Sequence, residues 1–229
     1  MYPLFVLGSL GVTIALAWAT YQSGRLLRSV PVTENLLLAP VENVVKAVLV
    51  FICIGLGFLS GLPYTQLGWN FDNALRDAGL GIVVGMLSQF LVNTLTLLAI
   101  RKWGKDIYSP VVMKNIMPRT RIEWLLVPAA LFVAVVLEEV LFRSLLIGGL
   151  SATVPLPILL VGFAAIFGLM HSPQGTLGVV LTGAMGLWLS LLFVWSGGLL
   201  LPLTAHYVIN ILQLFKAQDK RAWLDSYET

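Results

Sequence analysis

Between Arg143 and Lys216 the chain runs through 72 residues, 144–215, without one Asp, Glu, Lys or Arg. A water-soluble fold of this size cannot carry such a stretch, because a solvated surface needs polar side chains to cover it. About 20 apolar residues cross the hydrocarbon core of a bilayer as a helix, so this segment alone has room for three spans. The rest of the chain agrees. Of 229 residues, 58% are hydrophobic and 11% charged, and the mean hydropathy is +0.91. An ordinary soluble domain is about 25% charged. A soluble enzyme, a nucleic-acid-binding module and a disordered chain are therefore excluded. The net charge of +3 is no nucleic-acid signal, because the charges fall in loops. The apolar material comes in long uninterrupted runs, not alternating ten-residue segments, which favours helices over an outer-membrane barrel. The expectation is an all-α polytopic membrane protein.

Breakers divide the runs. Residues 1–24 carry no charge; Lys46 and Asp72 bracket a second uncharged run, Asp77 and Arg101 a third. These predict helices near 3–23, 43–62 and 78–100. A fourth runs from about Trp124 to Gly149, interrupted only by Glu138, Glu139 and Arg143. Pro155 and Pro157 open the next, Ser172-Pro173-Gln174-Gly175 closes it, and Ser196-Gly197-Gly198 separates the last two. Pro202 falls in the first turn of the last helix, where its missing N–H costs little. The count is seven spans, within a range of six to eight. Gly81 and Gly85 form a small-xxx-small motif suited to close helix packing.

The basic residues sit in the connections 24–42 and 101–121 and in the tail. With seven spans all three lie on one side, which the positive-inside rule makes the cytoplasm, leaving the N-terminus outside and the C-terminus inside. Residues 1–19 have a signal-like apolar core ending near Ala15-Leu16-Ala17. They lack a basic n-region, however, and are read as a first transmembrane helix. One cysteine, Cys53, excludes an intrachain disulfide.

From Trp124 to Phe215 only Glu138, Glu139 and Arg143 are formally charged. A charge at mid-membrane costs roughly 2.5–3.5 kcal/mol on the lenient insertion scale, so three unpaired ones would cost on the order of 8–10 kcal/mol. Glu139 and Arg143 stand at i, i+4 and can pair. Glu138 is rotated by about 100° and can point elsewhere, as a free carboxylate suited to general-base work. Taken alone, the cluster reads equally as a packing device. The two histidines of the chain, His171 and His206, both lie in the charge-free region, and Asn210 shares the face of His206. Two histidines, an asparagine and a free glutamate on three helices suggest one polar cavity in the C-terminal bundle.

Three patterns appear in order: EExxxR at Glu138-Glu139-Val-Leu-Phe-Arg143, FxxxH at Phe167-Gly-Leu-Met-His171, and HxxxN at His206-Tyr-Val-Ile-Asn210. Residues 122–215 thereby resemble the CAAX-protease and bacteriocin-processing (CPBP) family of intramembrane proteases, to which the eukaryotic type 2 CAAX prenyl endopeptidase belongs. The resemblance implies that Glu138 is the catalytic glutamate and that it activates a water with His171. It implies that His206 and Asn210 form the oxyanion hole and that Glu139 and Arg143 order the site, with Phe167 beside them. It leaves two routes open. Zinc would draw on Glu138, His171 and His206, and the family often carries the label metalloprotease. HExxH is absent, those ligands would come from three helices, and a metal-free glutamate-base route is favoured, with no cofactor.

The expected domain plan is an N-terminal helical part with its basic loop, 1–121, a catalytic core, 122–215, and a cytoplasmic tail, 216–229. The expected partners are the bilayer and a membrane-bound protein or peptide, lipidated or not, and no nucleic acid. The short tails suggest a bacterial inner membrane. Two competing functions are a non-catalytic immunity or scaffold protein of the same fold and a small proton-coupled transporter. The second is disfavoured because the polar residues have no counterpart in the first half.

Overall fold

The computed structural model describes residues 1–29 and 35–225. Residues 30–34 of the first basic connection and 226–229 of the tail lie outside the described residues. The described residues form helices and no strand. The long ones are α1 (Tyr2–Ser29), α2 (Pro40–Ser60) and α3 (Ala74–Trp103). A short α4 (Val111–Ile116) precedes α5 (Glu123–Glu139), which continues without a break into a π-helix at Val140–Gly149. Then come α6 (Leu156–Met170), α7 (Gly175–Ser196), α8 (Leu200–Asp219) and a short α9 (Arg221–Asp225).

The predicted breaks act as their chemistry requires. Pro155 caps α6 and Pro157 occupies its first turn, where no intrahelical N–H is needed. Ser172–Gln174 forms a single 3-10 turn, and Gly197 ends α7 in the left-handed region at φ 67°. Five segments are long and apolar enough to cross a membrane: Tyr2–Leu27, Pro40–Ser60, Ala74–Trp103, Glu123–Gly149 and Ser172–Ser196. The other two helices of the expected seven are present but fall short of that standard. The 15 residues of α6 rise only about 22 Å against a core of about 30 Å. Polar residues, including Thr204, His206, Asn210 and Gln213, interrupt α8.

All seven long helices run alternately between the same two ends of the bundle. At one end Ser109 N–H donates to the Gln174 carbonyl at 2.9 Å and Asn35 Nδ2 to the Ile116 carbonyl at 3.0 Å. At the other, Gln66 Nε2 donates to the Gly148 carbonyl at 3.1 Å and Leu199 N–H to the Gly68 carbonyl at 2.8 Å. Of the 14 Lys and Arg residues, Arg76 lies at the second end and Arg143 inside. The remaining twelve lie at or near the first end.

The core is densest around the π-helix, whose ten residues are all buried. Phe5 of α1 covers Gly149, and Leu137, Leu141, Phe163 and Phe193 pack with it. Gly81 and Gly85 seat α3 directly on α8. A Cβ at Gly81 would stand 2.8 Å from the Leu201 carbonyl, and one at Gly85 would stand 2.8 Å from the Ala205 carbonyl. Leu201, Thr204, Ala205 and Val208 thus face α3. At 100° per residue His206 and Asn210 fall on the opposite side of α8, turned back into the bundle.

Candidate active site

The chemistry-bearing residues come from α5, the π-helix, α6 and α8. Glu139, the last residue of α5, is completely buried (0% exposed), and Arg143 is 1% exposed. Arg143 Nη1 stands 2.9 Å from Glu139 Oε1. That contact is electrostatic, not a directed hydrogen bond; the directed one runs from Arg143 Nη2 to the Gly186 carbonyl of α7 at 3.1 Å. The same carbonyl accepts from Ser190 Oγ at 2.7 Å. Gly186 has no side chain to block this approach: a Cβ there would lie 3.0 Å from Phe167 Cδ1.

Glu139 Oε1 has a second partner, His206 Nδ1 at 2.7 Å. A carboxylate only accepts, so His206 Nδ1 carries the proton, and Nε2 faces the other way. There it meets Glu138 Oε2 at 3.7 Å. The two adjacent glutamates thus address the two nitrogens of one imidazole. The sequence expectation left Glu138 free to point elsewhere, and it makes no pair with Arg143 but approaches His206. The cause is the position of His206, which inserts between carboxylates separated by about 100° on the helix. Glu138 is the accessible one of the pair, 32% exposed at its side chain.

Phe167 is the apolar hub. Its ring lies under the Arg143 guanidinium, 5.1 Å from Cζ, a cation–π contact. It meets Phe142 edge-on at 5.1 Å, His171 at 4.8 Å and His206 at 6.1 Å between centroids. Phe167 therefore stands between the two histidines. His171 caps the end of α6, half-buried, with Nδ1 donating to the Phe167 carbonyl at 2.8 Å. That bond fixes the neutral ring as the Nδ1–H tautomer and leaves Nε2 as a lone-pair acceptor. No hydrogen bond joins His171 to Glu138 among the described residues. Asn210, one turn beyond His206, is half-buried and makes no hydrogen bond among the described residues.

A zinc site needs three protein ligands converging at about 2.0–2.2 Å from one point. Among the described residues no three His, Cys, Asp or Glu side chains gather that way, while the Glu139 contact at His206 Nδ1 leaves Nε2 open as a ligand atom.

Residues 120–212 match the family described as Type II CAAX prenyl endopeptidase Rce1-like. That stretch is similar to the CAAX-protease family. The match takes in α5, the π-helix, α6, α7 and most of α8, so every residue of the cluster above lies within it, and α1 to α4 lie outside. No curated protein and no solved structure matches the chain. This likeness and the five long apolar helices together support an integral membrane protein.

Three features of this cluster were not legible in the sequence. The π-helix depends on a backbone register that composition does not encode. The Gly186 carbonyl is a main-chain group, marked only by a small residue in α7. The sharing of one imidazole by both glutamates needs the helix crossing itself.

Proposed function

We propose that the protein is an intramembrane endopeptidase hydrolysing a peptide bond in a membrane-embedded or lipidated, CAAX-like substrate. The observation that carries this is the contrast within the cluster: Glu139 and Arg143 are sealed, while Glu138, beside His206, is accessible.

The chemistry follows from the side chains present. Glu138 takes a proton from the attacking water as its oxygen bonds to the scissile carbonyl carbon. His171 Nε2, kept as an acceptor by the Phe167 carbonyl, is the second group able to orient that water. The oxyanion that develops needs donors, worth about 10²–10³ in rate for each. Asn210 Nδ2 and His206 Nε2 supply them from one helix face. His206 donates at Nε2 only as an imidazolium. When the tetrahedral intermediate collapses, the C–N bond breaks and the proton held by Glu138 passes to the departing amine. Every group in this scheme belongs to the chain, and no step uses a metal.

The end that gathers twelve of the cations faces the cytoplasm under the positive-inside rule. With seven crossings the N-terminus lies outside and the C-terminus inside.

A Glu138→Gln variant in native membranes tests the reading by retaining substrate that wild type cuts. Peptides recovered with the variant should map to one sequence, which purified wild type cleaves at a single bond. A partner held equally by wild type and variant and cut by neither would replace the protease with a binding protein. Ion flux in vesicles without peptidase activity would replace it with a transporter.

A further inference from the structure

The family match begins at residue 120, yet the turn that follows His171 is also held from outside it. Ser172–Gln174 is a single 3-10 turn. Gln174 N–H donates to the His171 carbonyl at 3.0 Å, and the Gln174 carbonyl accepts from Ser109 N–H at 2.9 Å. Gly175 follows at φ +83°, and a Cβ on it would stand 2.7 Å from the Ile107 carbonyl and 3.1 Å from Ser109 N. Glycine is needed there for its conformation and for the close approach of the 107–109 backbone. On the other flank Gly24 of α1 meets buried Pro173: a Cβ on Gly24 would lie 2.6 Å from Pro173 Cγ.

The clamp is itself anchored. Tyr108 stacks on Trp223 of α9 at 6.3 Å. Met113 and Met117 pack with Val127 and Leu131 of α5 and Leu214 of α8. The segment 105–117 thus ties the His171 turn to the two helices that carry Glu138 and His206.

We propose that α1 and the 105–110 connection form a clamp that sets the position of His171. Gly24, Ser109 and Gly175 are its positioning residues, acting on the site through the Ser172–Gln174 turn. This rests on the reading of His171 as a water-orienting group and gives the N-terminal helices a function in the reaction. Misplacing a reacting group by about 1 Å can cost about 100-fold in rate, so the clamp should govern turnover rather than substrate affinity.

The chain has only two histidines, so its imidazole signals are readable by NMR after histidine-selective isotope labelling and assignable with a His171→Gln variant. Gly24→Ala favours helix and pushes on Pro173; Pro173→Ala removes the atom it meets. In Gly24→Ala the His171 signal should move while that of His206 stays, and Gly24→Ala/Pro173→Ala should return it toward the Pro173→Ala position. On a peptide substrate kcat should fall at least about ten-fold in Gly24→Ala with KM within about two-fold, and recover in the double variant. Ser109→Pro, which deletes the N–H donor, should act like Gly24→Ala, and Ser109→Ala, which keeps it, should not. An unmoved His171 signal in both Gly24→Ala and Ser109→Pro overturns the clamp. So does an equal, unrescued movement of both histidines. If the His171 signal follows this pattern while wild type cleaves nothing, the clamp stands and the peptidase reading fails.

Discussion

Removing Arg143 should damage the fold far more than its single hydrogen bond suggests. The guanidinium is 1% exposed and faces a carboxylate that is 0% exposed at 2.9 Å. It also donates to Gly186 and lies over Phe167. Arg143→Met keeps much of the side-chain volume but strands Glu139 as a buried charge. Breaking a buried pair in this way costs about 3–5 kcal/mol, two to four powers of ten in the folding equilibrium and a large share of the roughly 5–15 kcal/mol that holds a typical protein folded. Adding Glu139→Gln removes the stranded charge. The double variant should then recover most of the loss, because an uncharged pair needs no counterion. The assay is thermal unfolding in detergent with the yield of monodisperse protein. A drop in Tm for Arg143→Met that the double variant reverses supports the reasoning. A wild-type Tm in Arg143→Met, or a double variant as unstable as the single one, refutes it.

Other outcomes follow from the same geometry. Asn210→Ala should lower kcat by about 10²–10³ with a Tm near wild type, since Asn210 makes no hydrogen bond among the described residues; an unchanged kcat removes it from the oxyanion site. Gly85→Leu should sharply reduce folded protein, because even a Cβ there stands 2.8 Å from both the Ala205 carbonyl and Val208 Cβ; normal yield would show that α3 and α8 do not pack this closely. Chelator treatment should leave peptidase activity intact. Stoichiometric zinc, lost together with activity in His206→Ala, would overturn the metal-free scheme.

Much of the fold was legible because the bilayer allows few solutions. The charge-free run after Arg143 and the breakers at Pro155, Ser172–Gly175 and Gly197 place α6, α7 and α8 to within a few residues. The helices α1 and α3 run past their predicted ends into charged residues such as Arg25 and Arg101, since leaving the hydrocarbon does not require the helix to stop. The i, i+4 spacing of Glu139 and Arg143 placed them within reach of each other, a local relation that one helix fixes. Relations between helices were less accessible. The sharing of His206 between Glu138 and Glu139 depends on where α8 crosses α5. The docking of Ser109 on Gln174 joins backbone atoms 65 residues apart. Neither leaves a mark in side-chain type.

The central claim is that Glu138 activates the attacking water, and turnover by purified Glu138→Ala tests it most directly. The carboxylate is partly exposed and makes no ion pair with Arg143, so its removal should leave the unfolding temperature within a few degrees of wild type. On a peptide that wild type cleaves, the account predicts no detectable cleavage by this folded variant. Cleavage by Glu138→Ala at the wild-type rate would contradict it.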